Sequence, residues 1–175
     1  MSNLERVSAE VFIARDPIVT WSVEDLDFIK RAALASPRRR ARICAHKTND
    51  DVLHEMLIVL VSGGYIRPHK HPTKSESFHV IEGEINILIF DEDGTPSRVN
   101  HLSGSDPRKS FYFRLPPDVY HTVLLLSEIA VVHETTSGPF DPNQTVQAAF
   151  APAEAEGDKA RAYMHTIARE AANMS

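Results

Sequence analysis

His69-Lys70-His71, Glu76 and His121 are the residues of this chain whose types and spacing carry chemistry. An extended segment points residues i and i+2 to one face, so the imidazoles of His69 and His71 meet one ion. Pro72 to Ser75 turns the chain, and Glu76 opens the next strand with its carboxylate aimed back at that ion. Phe78 and Val80 share the face of Glu76 and line an interior, whereas His79 points away. His121 follows Pro116-Pro117-Asp118 and supplies a third imidazole. Three neutral imidazoles and a carboxylate suit one divalent transition metal (zinc, iron, nickel, manganese or copper) better than calcium or magnesium. The predicted metal ligands are therefore His69, His71, Glu76 and His121. On an ion that takes five or six ligands they leave room for a small-molecule substrate.

Groups able to work beside such an ion are fewer. His133 and Glu134 fall on opposite faces of one strand, and Glu134 is the candidate catalytic residue facing the interior. Glu82 and the tyrosines are weaker candidates. The run Arg38, Arg39, Arg40, Arg42 concentrates positive charge in five residues of a chain with net charge −5. The strand predicted from Ala41 to His46 sends Arg40 and Arg42 to one face, where guanidinium forks can clamp a phosphate or carboxylate. The bland alternative is a solvated helix exit, or ion pairing with the surplus acids. Arg67 and Lys74 are further substrate-binding candidates, at a barrel mouth with Tyr65 and Tyr112. Cys44 reads as a small buried hydrophobe. His46, His54, His101 and His165 read as structural.

The elements that must position these residues are mostly strands. Ser22 followed by Asp25 starts a helix whose predicted apolar face is Val23, Leu26, Ile29 and Ala33, and Ser36-Pro37 ends it. An extended segment, Val11 to Val19, precedes it. Leu57–Val61, the alternation through Phe78 and Val80, Ile85–Ile89, Phe111–Leu115, His121–Leu126 and Ala130–Thr135 read as short strands, with Asp91-Glu92-Asp93-Gly94 as a hairpin turn. Such spacing predicts a mainly β sandwich or barrel. After Gly138-Pro139 periodicity is lost until a final helix, capped by Asp158, with a stripe of Tyr163, Met164, Ile167, Ala168 and Ala171. The expected organisation is an N-terminal strand and helix packed on the barrel (1–40), the barrel (41–145), and a linker with C-terminal helix (146–175).

The pattern Gly63-x5-His69-x-His71-x4-Glu76-x6-Gly83 resembles the first cupin motif at every fixed position. Pro116-x-Asp118-x2-His121 resembles the second, with Asp118 where the family has glycine and Leu125 at its later asparagine. Asp tolerates left-handed backbone better than most residues, so the turn is expected to survive. Together with Ala35–Arg42, His69–Glu76 and Gly138–Pro142, these segments look like the small WbuC-type cupin metalloproteins over roughly residues 25 to 155. The resemblance implies a cupin-type β-barrel (double-stranded β-helix, or jelly roll) with one metal, a homodimer, and a setting in bacterial surface-polysaccharide metabolism. Outward-facing Thr122, Leu124 and Leu126 add to the dimer expectation, because a strand apolar on both faces needs a second covering surface. The N-terminal helix or another chain can provide it.

The expected function is a mononuclear-metal cupin enzyme acting on a small oxygen-rich substrate, such as a sugar or sugar phosphate, in isomerase or epimerase chemistry. The alternatives are a non-catalytic ligand-binding or regulatory cupin module and an iron-dependent cupin dioxygenase. Lys+Arg 19 against Asp+Glu 24 argues against nucleic acid as partner. No apolar run reaches membrane-span length, the N-terminus does not read as a signal peptide, and the single cysteine fits a cytoplasmic, reducing setting.

Overall fold

The computed structural model describes residues 2–174. Ser22 sets the first helix: its backbone N–H donates to the Asp25 carboxylate at 2.9 Å, the reciprocal half of a capping box. Helix α1 then runs Val23–Ala35. Its buried face is Asp25, Ile29 and Ala33, whereas Val23 is exposed. Asp25 takes that inward place because it also accepts from the Ser2 N–H at 2.7 Å. Two strands precede the helix, β1 (Leu4–Arg6) and β2 (Val11–Ala14), the second ending well short of Val19. After it come β3 (Arg40–Cys44), β4 (Leu53–Val61), β5 (His69–Lys70), β6 (Glu76–Glu82), β7 (Glu84–Phe90) and β8 (Pro96–Ser103). Then follow β9 (Tyr112–Leu115), β10 (Tyr120–Leu125), β11 (Ile129–Ser137), β12 (Val146–Gln147) and helix α2 (Gly157–Asn173). Helix α2 begins just before Asp158, with Glu156 at its cap position, because the Ala160 N–H already reaches the Glu156 carbonyl.

The strands form two sheets, ordered β1-β2-β3-β4-β11-β6-β9 and β12-β5-β10-β7-β8. Among the described residues only the β2–β3 strand pair is parallel, apart from an isolated parallel bridge between Leu102 and Ser110. Between the sheets lie Leu60, Phe78, Val80, Ile85, Ile87, Val123 and Val132. Residues of opposite parity on β3 and β4, such as Ala41, Ile43, Leu57 and Val59, pack outward against Ile29 and Ala33 of α1. The central strands are thus apolar on both faces because both are covered. On the second sheet the outer cover is α2, whose Ile167 and Ala171 meet Leu88, Phe90 and Leu124. Thr122 and Leu124 are therefore buried within the chain itself, and only Leu126 is left exposed. The C-terminal helix, rather than the N-terminal helix or another chain, covers this face.

The two glycines of the first motif differ in what holds them. Both have positive φ, Gly63 at 83° and Gly83 at 79°. A Cβ on Gly63 would meet nothing, whereas one on Gly83 would stand 2.3 Å from the Ile129 carbonyl oxygen. Gly63→Ala should therefore lower stability by about 1–2 kcal/mol, the strain of left-handed backbone alone. Gly83→Ala should lower it by more than about 3 kcal/mol, because backbone must also move. Urea denaturation of the two variants checks this, and equal losses would refute it.

Candidate metal centre

The strand pairing brings two of the histidines face to face. His69 on β5 is the direct partner of His121 on β10, and their ring centroids are 4.6 Å apart. Glu76 opens β6 in the opposite sheet and closes the group from across the barrel. Ligand atoms of His69, Glu76 and His121 lie within 4.8 Å of one another. His71 joins through Glu76: its Nε2 is 3.1 Å from Oε1, while His121 Nε2 is 3.1 Å from Oε2. The backbone around them is held as the motif requires. Asp118 adopts φ 64°, and its N–H donates to the His71 carbonyl at 2.8 Å. Lys70 points to the other face and pairs with Glu92 and Asp118.

The imidazoles are oriented from behind. His69 Nδ1 lies 2.9 Å from the Arg67 carbonyl, and His121 Nδ1 lies 3.0 Å from the Val119 carbonyl. A carbonyl only accepts, so each Nδ1 carries a proton, and each Nε2 faces the common point. His71 Nδ1 is 3.3 Å from the Thr145 hydroxyl. Burial, then the neighbouring His121, pushes His69 down to about 4, so this ring is neutral at physiological pH. Burial alone would raise the Glu76 carboxyl, but His121 and His71 outweigh it and hold it well below the usual range.

This geometry fits a cation. Glu76 Oε2 is buried without a hydrogen-bond partner although His121 Nε2 is 3.1 Å away. With the Nδ1 proton committed to a carbonyl, the carboxylate oxygen and the imidazole nitrogen are two acceptors facing each other. Either a second ring proton or a shared cation must stand between them. The donor set, imidazole nitrogen with one carboxylate, is that of a divalent transition metal.

Around this group the barrel interior holds two charged side chains. Glu134 on β11 has the parity of Val132, which faces the inter-sheet core, and pairs with Phe78. Glu134 is half-buried, and burial together with the charge of Glu76 pushes its carboxyl up to about 8, against a smaller opposing effect of Arg42. Arg42 has the parity opposite to Ala41 and Ile43 and stands across from Ile58, on the barrel side of β3. Its Nε is buried without a partner.

The remaining sequence candidates are dispersed. Arg40 donates to the Tyr65 carbonyl and stands 3.5 Å from Glu154. Arg67 donates to the Ala148 carbonyl at 2.7 Å, and Lys74 donates to the Pro139 carbonyl. Glu82 pairs with Lys30. The Tyr65 hydroxyl donates to the Pro152 carbonyl, and Tyr112 is exposed. His79 is exposed and rests against Phe111, away from the group. His133 rests against Trp21, and Cys44 is buried. Thr145 is the contact that sequence reasoning misses, since its segment has no periodicity to place it over His71.

Residues 22–102 match a family described as a domain of unknown function, DUF6016. No curated protein matches the chain. Among solved structures, a variant of oxalate decarboxylase OxdC from Bacillus subtilis is 23% identical, with TM-score 0.45 over 55% of this chain and 24% of its own. The chain thus spans about a quarter of that protein's length. CapF, in complex with the inhibitor 3-isopropenyl-tropolone, is 22% identical, with TM-score 0.50 over 62% of this chain and 30% of that one. Protein SO0799 from Shewanella oneidensis is 14% identical, with TM-score 0.50 over 69% and 75% of the two chains. Among the described residues no helix is long and apolar enough to cross a membrane. Two facing, largely antiparallel sheets closed around one core, with the likenesses to CapF and SO0799, make the fold a cupin-type β-barrel.

Proposed function

We propose that this chain is a mononuclear-metal enzyme acting on a small, oxygen-rich anion such as a sugar phosphate or hydroxy acid, in isomerase or epimerase chemistry. The observation that carries the reading is the pair of acceptors, Glu76 Oε2 and His121 Nε2, facing each other in a buried site. His69, His71, Glu76 and His121 would hold the ion. When bound, it supplies Lewis-acid polarisation of a substrate carbonyl or hydroxyl. The chain's own groups do the rest. Arg42, with a buried and unpartnered Nε, holds the anionic end of the substrate. Glu134, on the barrel side of β11 and with its pKa raised by burial, gives a proton to one substrate atom and recovers one from its neighbour.

Homodimer formation and a role in surface-polysaccharide metabolism, carried by the family resemblance, and a cytoplasmic location, carried by the single cysteine, are part of the same reading. The experiment is elemental analysis of the purified chain, then proton–deuterium exchange by NMR on a panel of sugar phosphates and hydroxy acids with the identified metal present. Exchange is expected at a carbon beside the substrate carbonyl, and Glu134→Gln should slow it by about 100-fold or more. A metal-loaded protein that exchanges no proton on any of them would exclude the isomerase reading.

A further inference from the structure

Between α2, β10 and the end of β4 with the loop that follows it lies a cavity of about 300 Å³, which reaches Leu60 and Val123 at the edge of the inter-sheet core. Arg38 from the α1–β3 connection and Arg40 at the start of β3 line it, with Arg161 and His165 of α2 and Asn86 of β7. None of the candidate metal ligands is among its walls. Asn86 has the parity of Leu88 and Phe90, which lie under α2, whereas Ile85 and Ile87 face the barrel core.

Two independent observations mark this cavity. The first is charge. Four guanidiniums, those of Arg38, Arg39, Arg40 and Arg161, gather at its walls. Their acids are Glu154, shared between Arg38 at 2.8 Å and Arg40 at 3.5 Å, Glu10 on Arg38, and the highly exposed Asp158 on Arg161. Arg39 is held by backbone carbonyls of Leu34 and Ser62 alone. Positive charge is thus in excess, and the long Arg40–Glu154 contact is one that a ligand oxyanion can replace. The second is Asn86. It is 8% exposed, and its Oδ1 is buried without a hydrogen-bond partner. An amide oxygen left so loses roughly 1–3 kcal/mol, and a hydroxyl on a ligand would restore it.

We propose that this cavity binds a small phosphate ester: the phosphoryl group on Arg40 and Arg161, and a neighbouring hydroxyl donating to Asn86. Guanidinium forks match phosphoryl oxygens, and a volume of about 300 Å³ is at the lower end of small-molecule sites. The site stands on its own residues and does not depend on the reading of the metal centre.

The test is an NMR titration of the full-length chain with inorganic phosphate, then with glycerol 3-phosphate, at constant ionic strength. Saturable shifts are expected at Gly63, Gly64, His165 and the Asn86 side-chain amide. Inorganic phosphate should bind with Kd on the order of 1 mM and the ester about tenfold more tightly. Arg161→Ala, on an exposed helix position, and Arg40→Gln should each weaken both by about tenfold, and Asn86→Leu should erase the ester's advantage. His121→Ala should leave both affinities unchanged. Shifts that never saturate, that scatter over surface lysines, or that survive both arginine variants would overturn the site. Binding lost in His121→Ala would place the phosphate at the metal centre instead and overturn it equally. An ester no tighter than inorganic phosphate would overturn the Asn86 contact.

Discussion

Replacing His121 with alanine should lower bound metal from about one equivalent per chain to less than about a tenth of one, read by elemental analysis after dialysis against metal-free buffer. His121 is 1% exposed and stands at the junction of the two sheets, paired to His69 along the strands and facing Glu76 across them. Its loss removes one donor and also the ring that packs against another, His69. His69→Ala and Glu76→Gln should behave alike. His71 stands outside the tightest triplet and reaches it through Glu76, so His71→Ala should weaken affinity by about 10–100-fold rather than abolish it. His79→Ala is the control and should keep full occupancy. The barrel core, from Leu60 to Val132, is built of apolar side chains that offer no metal donor. Circular dichroism of all these variants should therefore stay native. Full metal content in both His121→Ala and His69→Ala would show that the cluster is a buried imidazolium–carboxylate network.

The parts of this arrangement that could be read from the sequence are those governed by local rules. Strand parity separated Glu76, Phe78 and Val80 from His79, and that separation is what the structure has. The positive φ of Asp118 follows from the ease with which a short polar side chain enters the left-handed region. The capping pair Ser22 and Asp25 is also local. What the sequence concealed depends on distant pairing. The strand β8, Pro-Ser-Arg-Val-Asn-His-Leu-Ser, has weak alternation and starts with proline, and it is a strand because β7 offers it an edge. The covering of Leu124 by α2 joins residues about forty apart, and nothing in either segment names the other. Arg40 and Arg42 share a face of β3 as their spacing suggests, yet their surroundings diverge. Arg42 looks into the barrel toward Glu134, while Arg40, at the strand end, meets Tyr65 and Glu154. Only the sheet order and the path of residues 148–156 decide that.

Glu134→Gln should make the metal-free protein more stable at alkaline pH and leave it unchanged at acid pH. The folded chain holds the Glu134 proton up to about pH 8, whereas the unfolded chain releases it near the ordinary 4.5. Between those values the folded state binds the extra proton, so stability falls as pH rises through the window. Below about pH 4.5 both states are protonated and the group costs nothing; above about pH 8 both are ionised and the penalty is complete. Glutamine has no proton to lose and keeps the shape. At pH 5 the variant and the parent should therefore melt within about a degree of each other. At pH 8.5 the variant should be ahead by a few kcal/mol, on the order of 2–4, and by several degrees. The measurement is thermal and urea denaturation across pH 5–9 in chelator. Adding back the metal should shrink the difference, because a cation beside Glu76 replaces the negative charge that now helps keep Glu134 protonated. If instead the parent is the more stable protein at pH 8.5, Arg42 holds Glu134 as a carboxylate. The group then serves as a fixed counter-ion, and the proton-transfer role assigned to it fails.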